Sequence, residues 1–320
     1  MLLLLLAVVA SLAFGSRQVG LWTSVESLFN YDRALADHIV VNAQRLPRTA
    51  IGLLAGAALG VAGAQIQGVT RNPLAGPGIL GINAGAALFV AIGIFQLGME
   101  SISTYAWMGL AGAGLTAIVV YVIGQGVGAS PSPIRLVLAG AALTGLLTSI
   151  TTAILLLDLA TLDEFRFWVV GSISGRDADI ARQVTPFVVV GLLLAALTPR
   201  SLNAIAMGDE VARSLGVSIR RDRALVIASV VCLAGAATAA AGPIAFVGLA
   251  VPHAARALTG PDYRWIVPVS AVLGAALMLG ADVVGRFIVP PGELQVGIVT
   301  ALIGAPVFIA VARSRRVVHL

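Results

Sequence analysis

Few residues in this 320-residue chain could do chemistry, and most of them stand alone. The three histidines, His38, His253 and His319, are far apart, and none has a second His, Cys or carboxylate at metal-ligand spacing. His253, just after Pro252 in an apolar stretch, reads as a packed or hydrogen-bonded side chain before it reads as a ligand. The one cysteine, Cys232, excludes an internal disulfide and a Cys-based zinc or iron–sulfur site, and leaves the compartment open. All 20 basic residues are Arg, because the chain contains no Lys. That removes the G-x-x-x-x-G-K-[ST] phosphate loop and any Schiff-base lysine together. No nucleophile–base pair and no paired carboxylates fall inside an apolar stretch, so no catalytic site, metal or chain-bound cofactor is expected. Asp282 does stand four residues before Arg286, a spacing that puts both on one helix face. The carboxylate either orients that arginine or, as the weaker alternative, relays protons.

The elements that must position these residues are membrane spans. The chain is 58% hydrophobic and 11% charged, where a soluble domain carries roughly a quarter charged residues. Stretches free of Asp, Glu, Lys and Arg cover 1–16, 49–70, 72–99, 101–134, 136–157, 183–199, 224–255, 265–281 and 294–312. A crossing helix needs about 20 mostly apolar residues, so each stretch holds one helix, except 224–255, which Gly242-Pro243 divides in two. Pro/Gly-rich loops at 72–78 and 124–133 take up the surplus length of their stretches. The expectation is a single all-α domain over 1–320, with about ten transmembrane helices. No positive charge precedes Leu2–Leu6, so residues 1–16 are expected to be a first crossing and not a removed leader.

An even number of spans places both termini on one side. With the termini inside, the cytoplasmic loops carry Arg71, Arg135, Arg200, Arg213, Arg220, Arg221, Arg223, Arg256, Arg264, Arg313, Arg315 and Arg316, twelve of the 20. The positive-inside rule therefore predicts cytoplasmic termini. The net charge of +5 comes from arginines scattered between apolar runs with no interleaved aromatic face, so they signal topology and not nucleic-acid binding. Segments 17–47 and 158–182 then face outward, and 200–223 faces the cytoplasm. Gly/Ala-rich helices followed by Gly-Pro breaks, at 52–78 and 235–243, fit either a transporter repeat or close helix packing.

Within 200–223, Gly208 or Asp209 can start a short helix, Asp209 and Glu210 lie in its first turn, Arg213 and Ser214 follow, and Leu215-Gly216 closes it. Such a helix is too short to cross a bilayer; it is a capped surface feature. Arg45 and Arg48 precede the second span and Arg286 follows the ninth, all on the outer side, where arginines commonly anchor helix ends. Thr144, Thr148 and Thr151 recur at helical spacing along the fifth span, and their hydroxyls can return to backbone carbonyls. Asn83, just beyond the Pro/Gly loop, can serve a cytoplasmic gate or cap the third helix.

Five motifs occur in order: Arg45-Leu46-Pro47-Arg48; Gln67-Gly68-Val69-Thr70-Arg71-Asn72-Pro73-Leu74-Ala75; the Gly208–Gly216 segment; Gly242-Pro243-Ile244-Ala245-Phe246-Val247-Gly248-Leu249-Ala250-Val251-Pro252-His253; and Gly304-Ala305-Pro306. Together they resemble the FecCD family, the permease subunits of bacterial ABC importers for ferric siderophores, haem and cobalamin. The likeness extends from about residue 40 to 312. It implies a permease in the bacterial cytoplasmic membrane that pairs with a second, identical or homologous permease. Two ATPase subunits on the cytoplasmic side would hold the ATP and magnesium, and a substrate-binding protein would dock outside. The 208–216 helix would couple to the ATPase, and Arg45, Arg48 and Arg286 would receive acidic residues of the binding protein. The fifth and last helices would line the path, through Thr144, Thr148, Thr151 and Thr300. The wording of the second motif is similar to siderophore-type members, with haem and cobalamin as alternatives. A secondary transporter or channel would require intramembrane carboxylates or a charged ring, and only Asp282 lies near a span.

Overall fold

The computed structural model describes residues 1–15, 19–99, 101–125, 133–289 and 292–313, and among these there is no strand. Helix α1 (Leu2–Ala13) is followed by α2 (Leu21–Phe29) and α3 (Ala36–Val40), and a π turn at Val41–Arg45 joins α3 to α4 (Leu46–Thr70). Pro47 cannot donate to the carbonyl of Ala43 and its ring crowds that position; a widened turn just before it relieves the clash. Next come α5 (Ile82–Leu97), α6 (Ile102–Gln125), α7 (Pro133–Leu157), α8 (Leu159–Val169) and α9 (Ala178–Leu197). The second half contains α10 (Pro199–Ala206), α11 (Asp209–Ser214), α12 (Ile219–Ala241), α13 (Val247–Thr259), α14 (Tyr263–Ile288) and α15 (Val296–Arg313).

Six helical stretches, those holding α4, α6, α7, α9, α12 and α14, are long and apolar enough to cross a membrane; α1, α5 and the first part of α15 are apolar but shorter. The break expected at Gly242-Pro243 is present: α12 stops at Ala241 and Gly242 takes φ 77°, a conformation that favours glycine. Most of the loop expected at 124–133 lies outside the described residues. Several helices run past the charge-free stretches. The eighth charge-free stretch ends at Ala281, yet α14 continues through Asp282 and Arg286 because these charges are paired inside the bundle.

The core forms around α4, which packs on α14, α12 and α13. Gly52, Gly56 and Gly60 recur every fourth residue on one face of α4. A Cβ on Gly56 would strike the backbone of Gly274 and Ala275, and one on Gly274 would strike Gly56. This is close backbone approach through small residues, the usual packing of helices in hydrocarbon. In contrast, only 11% of the most apolar window of α7 is buried, and Leu138, Leu146, Ile150, Leu156 and Leu157 face outward.

Candidate functional site

Charged assemblies occupy the two ends of α4, which at 25 residues is about 37 Å long. At its N-terminal end, Arg48 grips the Asp282 carboxylate through Nε to Oδ2 at 2.9 Å and Nη2 to Oδ1 at 2.8 Å. Its Nη1 donates to Glu293 Oε2 at 2.7 Å and to Ser174 Oγ at 3.2 Å. Arg286 reaches the same Asp282 Oδ2 from Nη2 at 2.5 Å, and its Nη1 donates to the carbonyls of Ser11, at 2.8 Å, and of Phe14. Arg45 donates from Nη1 to the carbonyls of Leu12 at 2.6 Å and Ala13 at 2.7 Å. The last carbonyls of α1 have no partner within their own helix, and two arginines, Arg45 from the π turn before α4 and Arg286 from α14, supply donors and positive charge there.

The three arginines expected to face a binding protein are therefore brought together, but turned inward. Arg45 is 5% exposed and Arg286 6%, and Arg48 is partly buried. The pairing of Asp282 with Arg286 follows from their spacing; Arg48, 234 positions away, is the further partner that spacing alone could not supply. Glu293 was not singled out in the sequence. Burial would raise its pKa, but Arg48 and the Ser174 hydroxyl hold it below the ordinary glutamate range. Its only sequence signal was a carboxylate at the mouth of the last apolar stretch.

The other end of α4 meets the short helix of the 200–223 segment. That helix is α11, with Gly208 at φ 109° before it and Gly216 at φ 81° after it. Asp209 Oδ1 accepts from Arg71 Nη2 and from Arg223 Nη2, each at 3.0 Å. Arg71 ends α4 in the left-handed region at φ 49°, and Arg223, 1% exposed, lies in the first part of α12. One carboxylate thus ties α11 to two core helices. Ala212 packs with Ala204, Ile205 and Ile219 beneath α11, while Glu210, Val211, Arg213, Ser214 and Leu215 project outward. The exposed apolar side chains here are Met207, Val211 and Leu215.

The Gln67 motif is a packing node: Arg256 Nη1 donates to Gln67 Oε1 at 2.7 Å, Nη2 donates to the Tyr263 hydroxyl at 3.2 Å, and Gln67 Nε2 donates to the Leu249 carbonyl at 3.2 Å. His253 Nδ1 bonds the Leu249 carbonyl at 2.8 Å, as a packed histidine would. Among the described residues, no group of three His, Cys, Asp or Glu side chains could hold a metal ion.

The threonines do not form one wall. Thr151 is buried and returns its hydroxyl to Leu147 at 2.8 Å, Thr144 is half-buried, and Thr148 is exposed. Thr300, 2% exposed, bonds Gly297 and lines a separate apolar cavity of about 490 Å³ among α1, α13, α14 and α15. Asn83 does not cap α5, since Gly81 holds that position. Its Oδ1 accepts from Thr238 at 3.1 Å beside a cavity of about 310 Å³ that also borders Pro77, Phe246 and Phe308.

The FecCD transport family model matches residues 3–314. The ferric enterobactin transport system permease protein of Escherichia coli is 42% identical over 315 residues, covering 98% of this chain and 94% of that protein. The Fe(3+)-citrate import system permease protein of Bacillus subtilis is 40% identical over 306 residues, covering 96% and 90%. Among solved structures, an inward-facing metal-chelate type ABC transporter matches with a TM-score of 0.84 and 28% identity, over 97% of this chain and 96% of that one.

Proposed function

This chain belongs to the FecCD transport family, a multi-pass permease of siderophore and iron transport, and from that premise we propose that its cargo is a ferric siderophore delivered by a separate binding protein. The substrates of its relatives, ferric enterobactin and Fe(3+)-citrate, favour this cargo over haem or cobalamin. ATP would be hydrolysed on two partner ATPase subunits. In this reading ten helices cross the membrane, α1, α4, α5, α6, α7, α9, α12, α13, α14 and α15, with both termini in the cytoplasm of a bacterial cell. The exposed face of α7 would meet a second permease, identical or homologous, and Thr144, Thr148, Thr151, Asn83 and Thr300 would border the path.

The observation that carries the coupling assignment is α11: a short helix with its apolar tips exposed and its one buried-side residue, Ala212, locked onto the bundle. Exposed apolar groups ringed by Glu210 and Arg213 suit a protein partner. Residues 208–216 would therefore seat in the ATPase and convey its closure to the bundle through Asp209. Arg45, Arg48 and Arg286 would serve the binding protein from the opposite end by fixing the ends of α1, α4 and α14, with Arg48 and Glu293 nearest the surface.

The test is reconstitution in proteoliposomes with radioiron-loaded enterobactin or citrate as the probe. Accumulation should require ATP, the ATPase and the binding protein together. Uptake by the chain alone under an ion gradient would overturn the reading.

A further inference from the structure

Beside the Arg48 network lies a cavity of about 290 Å³, bordered by Tyr105, Glu164, Trp168, Ser172, Ser174 and Arg176 as well as by Arg48, Asp282 and Glu293. Arg176 stands in the loop between α8 and α9 and is only 5% exposed. Its Nε donates to the Ser172 carbonyl at 3.1 Å, and among the described residues neither Nη1 nor Nη2 has a hydrogen bond or ion pair. Trp168, 3% exposed, borders the same cavity, and among the described residues its indole N–H is buried without a partner.

The Arg176 side chain is nearly all buried while its unbonded Nη1 and Nη2 open onto the cavity, so a fixed positive charge lines a recess where an anion would be its counter-charge. The nearby carboxylates are already committed. Asp282 is held by Arg48 and Arg286, and Glu293 by Arg48 and Ser174. Asp177 caps α9, accepting from Ile180 N at 3.0 Å. Glu164 is exposed at the mouth and accepts from the Tyr105 hydroxyl at 3.5 Å. Burial pulls the Arg176 pKa down to about 10, partly offset by Asp177, so the guanidinium remains charged near neutrality. The loop is also rigidly placed. Ser172 N donates to the Ala241 carbonyl at the end of α12, at 2.7 Å, and Gly297 N at the start of α15 donates to the Gly171 carbonyl, at 3.0 Å. A preformed site follows, because its main donor cannot swing away with a flexible loop.

We propose that this cavity binds a carboxylate, with Arg176 holding it through its free guanidinium edge and the Trp168 indole N–H and the Ser172 and Ser174 hydroxyls near it. The planar fork of Arg matches the two oxygens of a carboxylate, which a water molecule cannot replace in charge. The volume admits a small acid or one acidic side chain and excludes a whole metal chelate. The site does not depend on which cargo the permease carries.

The test uses the whole permease in lipid nanodiscs with isotope-labelled tryptophan, so that its four indole N–H resonances, from Trp22, Trp107, Trp168 and Trp265, are followed separately. Citrate is titrated at fixed ionic strength against chloride. One indole resonance should shift saturably with citrate and not with chloride, and it should be the one missing in Trp168→Phe. Arg176→Gln should weaken the response at least about tenfold, Arg176→Lys should weaken it less, and Glu164→Gln should strengthen it up to about fivefold. Adding the substrate-binding protein without citrate separates the sources: a shift that citrate then competes away means that the carboxylate belongs to the partner, and no shift means a free acid. A flat citrate titration of folded wild-type protein, together with no response to the binding protein, would overturn the proposal. So would an undiminished response in both folded Arg176 variants.

Discussion

Asp282 is the residue on which the N-terminal end of α4 turns, because its one carboxylate neutralises two arginines that are otherwise pressed together. Asp282→Asn leaves Arg48 and Arg286 facing each other in a buried place, and losing one member of such a network costs about 3–5 kcal/mol. The expected result is a lower thermal unfolding midpoint in detergent, read by scanning fluorimetry. Arg182→Ala is the control: its pair with Asp179 is 78% and 66% exposed, worth about 0–1 kcal/mol, and the midpoint should hardly move. Glu293 adds a pH dependence. Its folded pKa lies below the ordinary value of 4.5, so its contribution is complete above that pH and is lost as pH falls through the folded value. Glu293→Gln should therefore flatten the acid limb of the stability profile, and an unchanged limb would show that Glu293 adds nothing to it. Of this network, only the Asp282–Arg286 pair was legible in the sequence, since helical periodicity acts over four residues. Arg48 and the α1 carbonyls join it through tertiary packing, which no spacing rule encodes.

At the scale of elements, α11 was readable because its signals are local: a glycine able to take positive φ on either side, acids in the first turn and an arginine in the last. Helix ends in the bundle were less readable, since charges that end an apolar stretch need not end a helix when partners are waiting. The threonines of α7 show the same limit. Their spacing was correct for one face, yet burial varies along it because the neighbours of α7 cover only part of its length. Two element-scale outcomes follow. Leu215→Glu should weaken co-purification of the ATPase more than Glu210→Ala or Arg213→Ala, because the lost contact is apolar. Equal retention by all three would remove α11 from that interface. Thr148→Cys in a Cys232→Ala background should cross-link to a second permease subunit under mild oxidation, and a product consisting only of single subunits would place that face of α7 against lipid.

Over the whole molecule, α4 and α12 link the two ends. The Arg71–Asp209–Arg223 tie gathers the start of α12 and the end of α4 under α11, while the far ends of the same helices hold the Arg48 network and the loop that carries Arg176. Both helices are mostly buried and meet other helices through small residues, so a displacement at α11 passes along stiff rods and not through loops. The general plan, an apolar bundle with a short exposed helix on the arginine-rich side, was visible in composition and charge. The through-molecule connection was not, because Arg71 and Asp209 are 138 positions apart. The most direct measurement is the number of ferric siderophores accumulated per ATP hydrolysed in proteoliposomes that contain the permease, its ATPase and its binding protein. Asp209→Asn should keep the ATPase attached and hydrolysing while that ratio falls about tenfold or more, with Asp209→Glu restoring most of it. An unchanged ratio in Asp209→Asn would contradict the transmission of ATPase closure through α11.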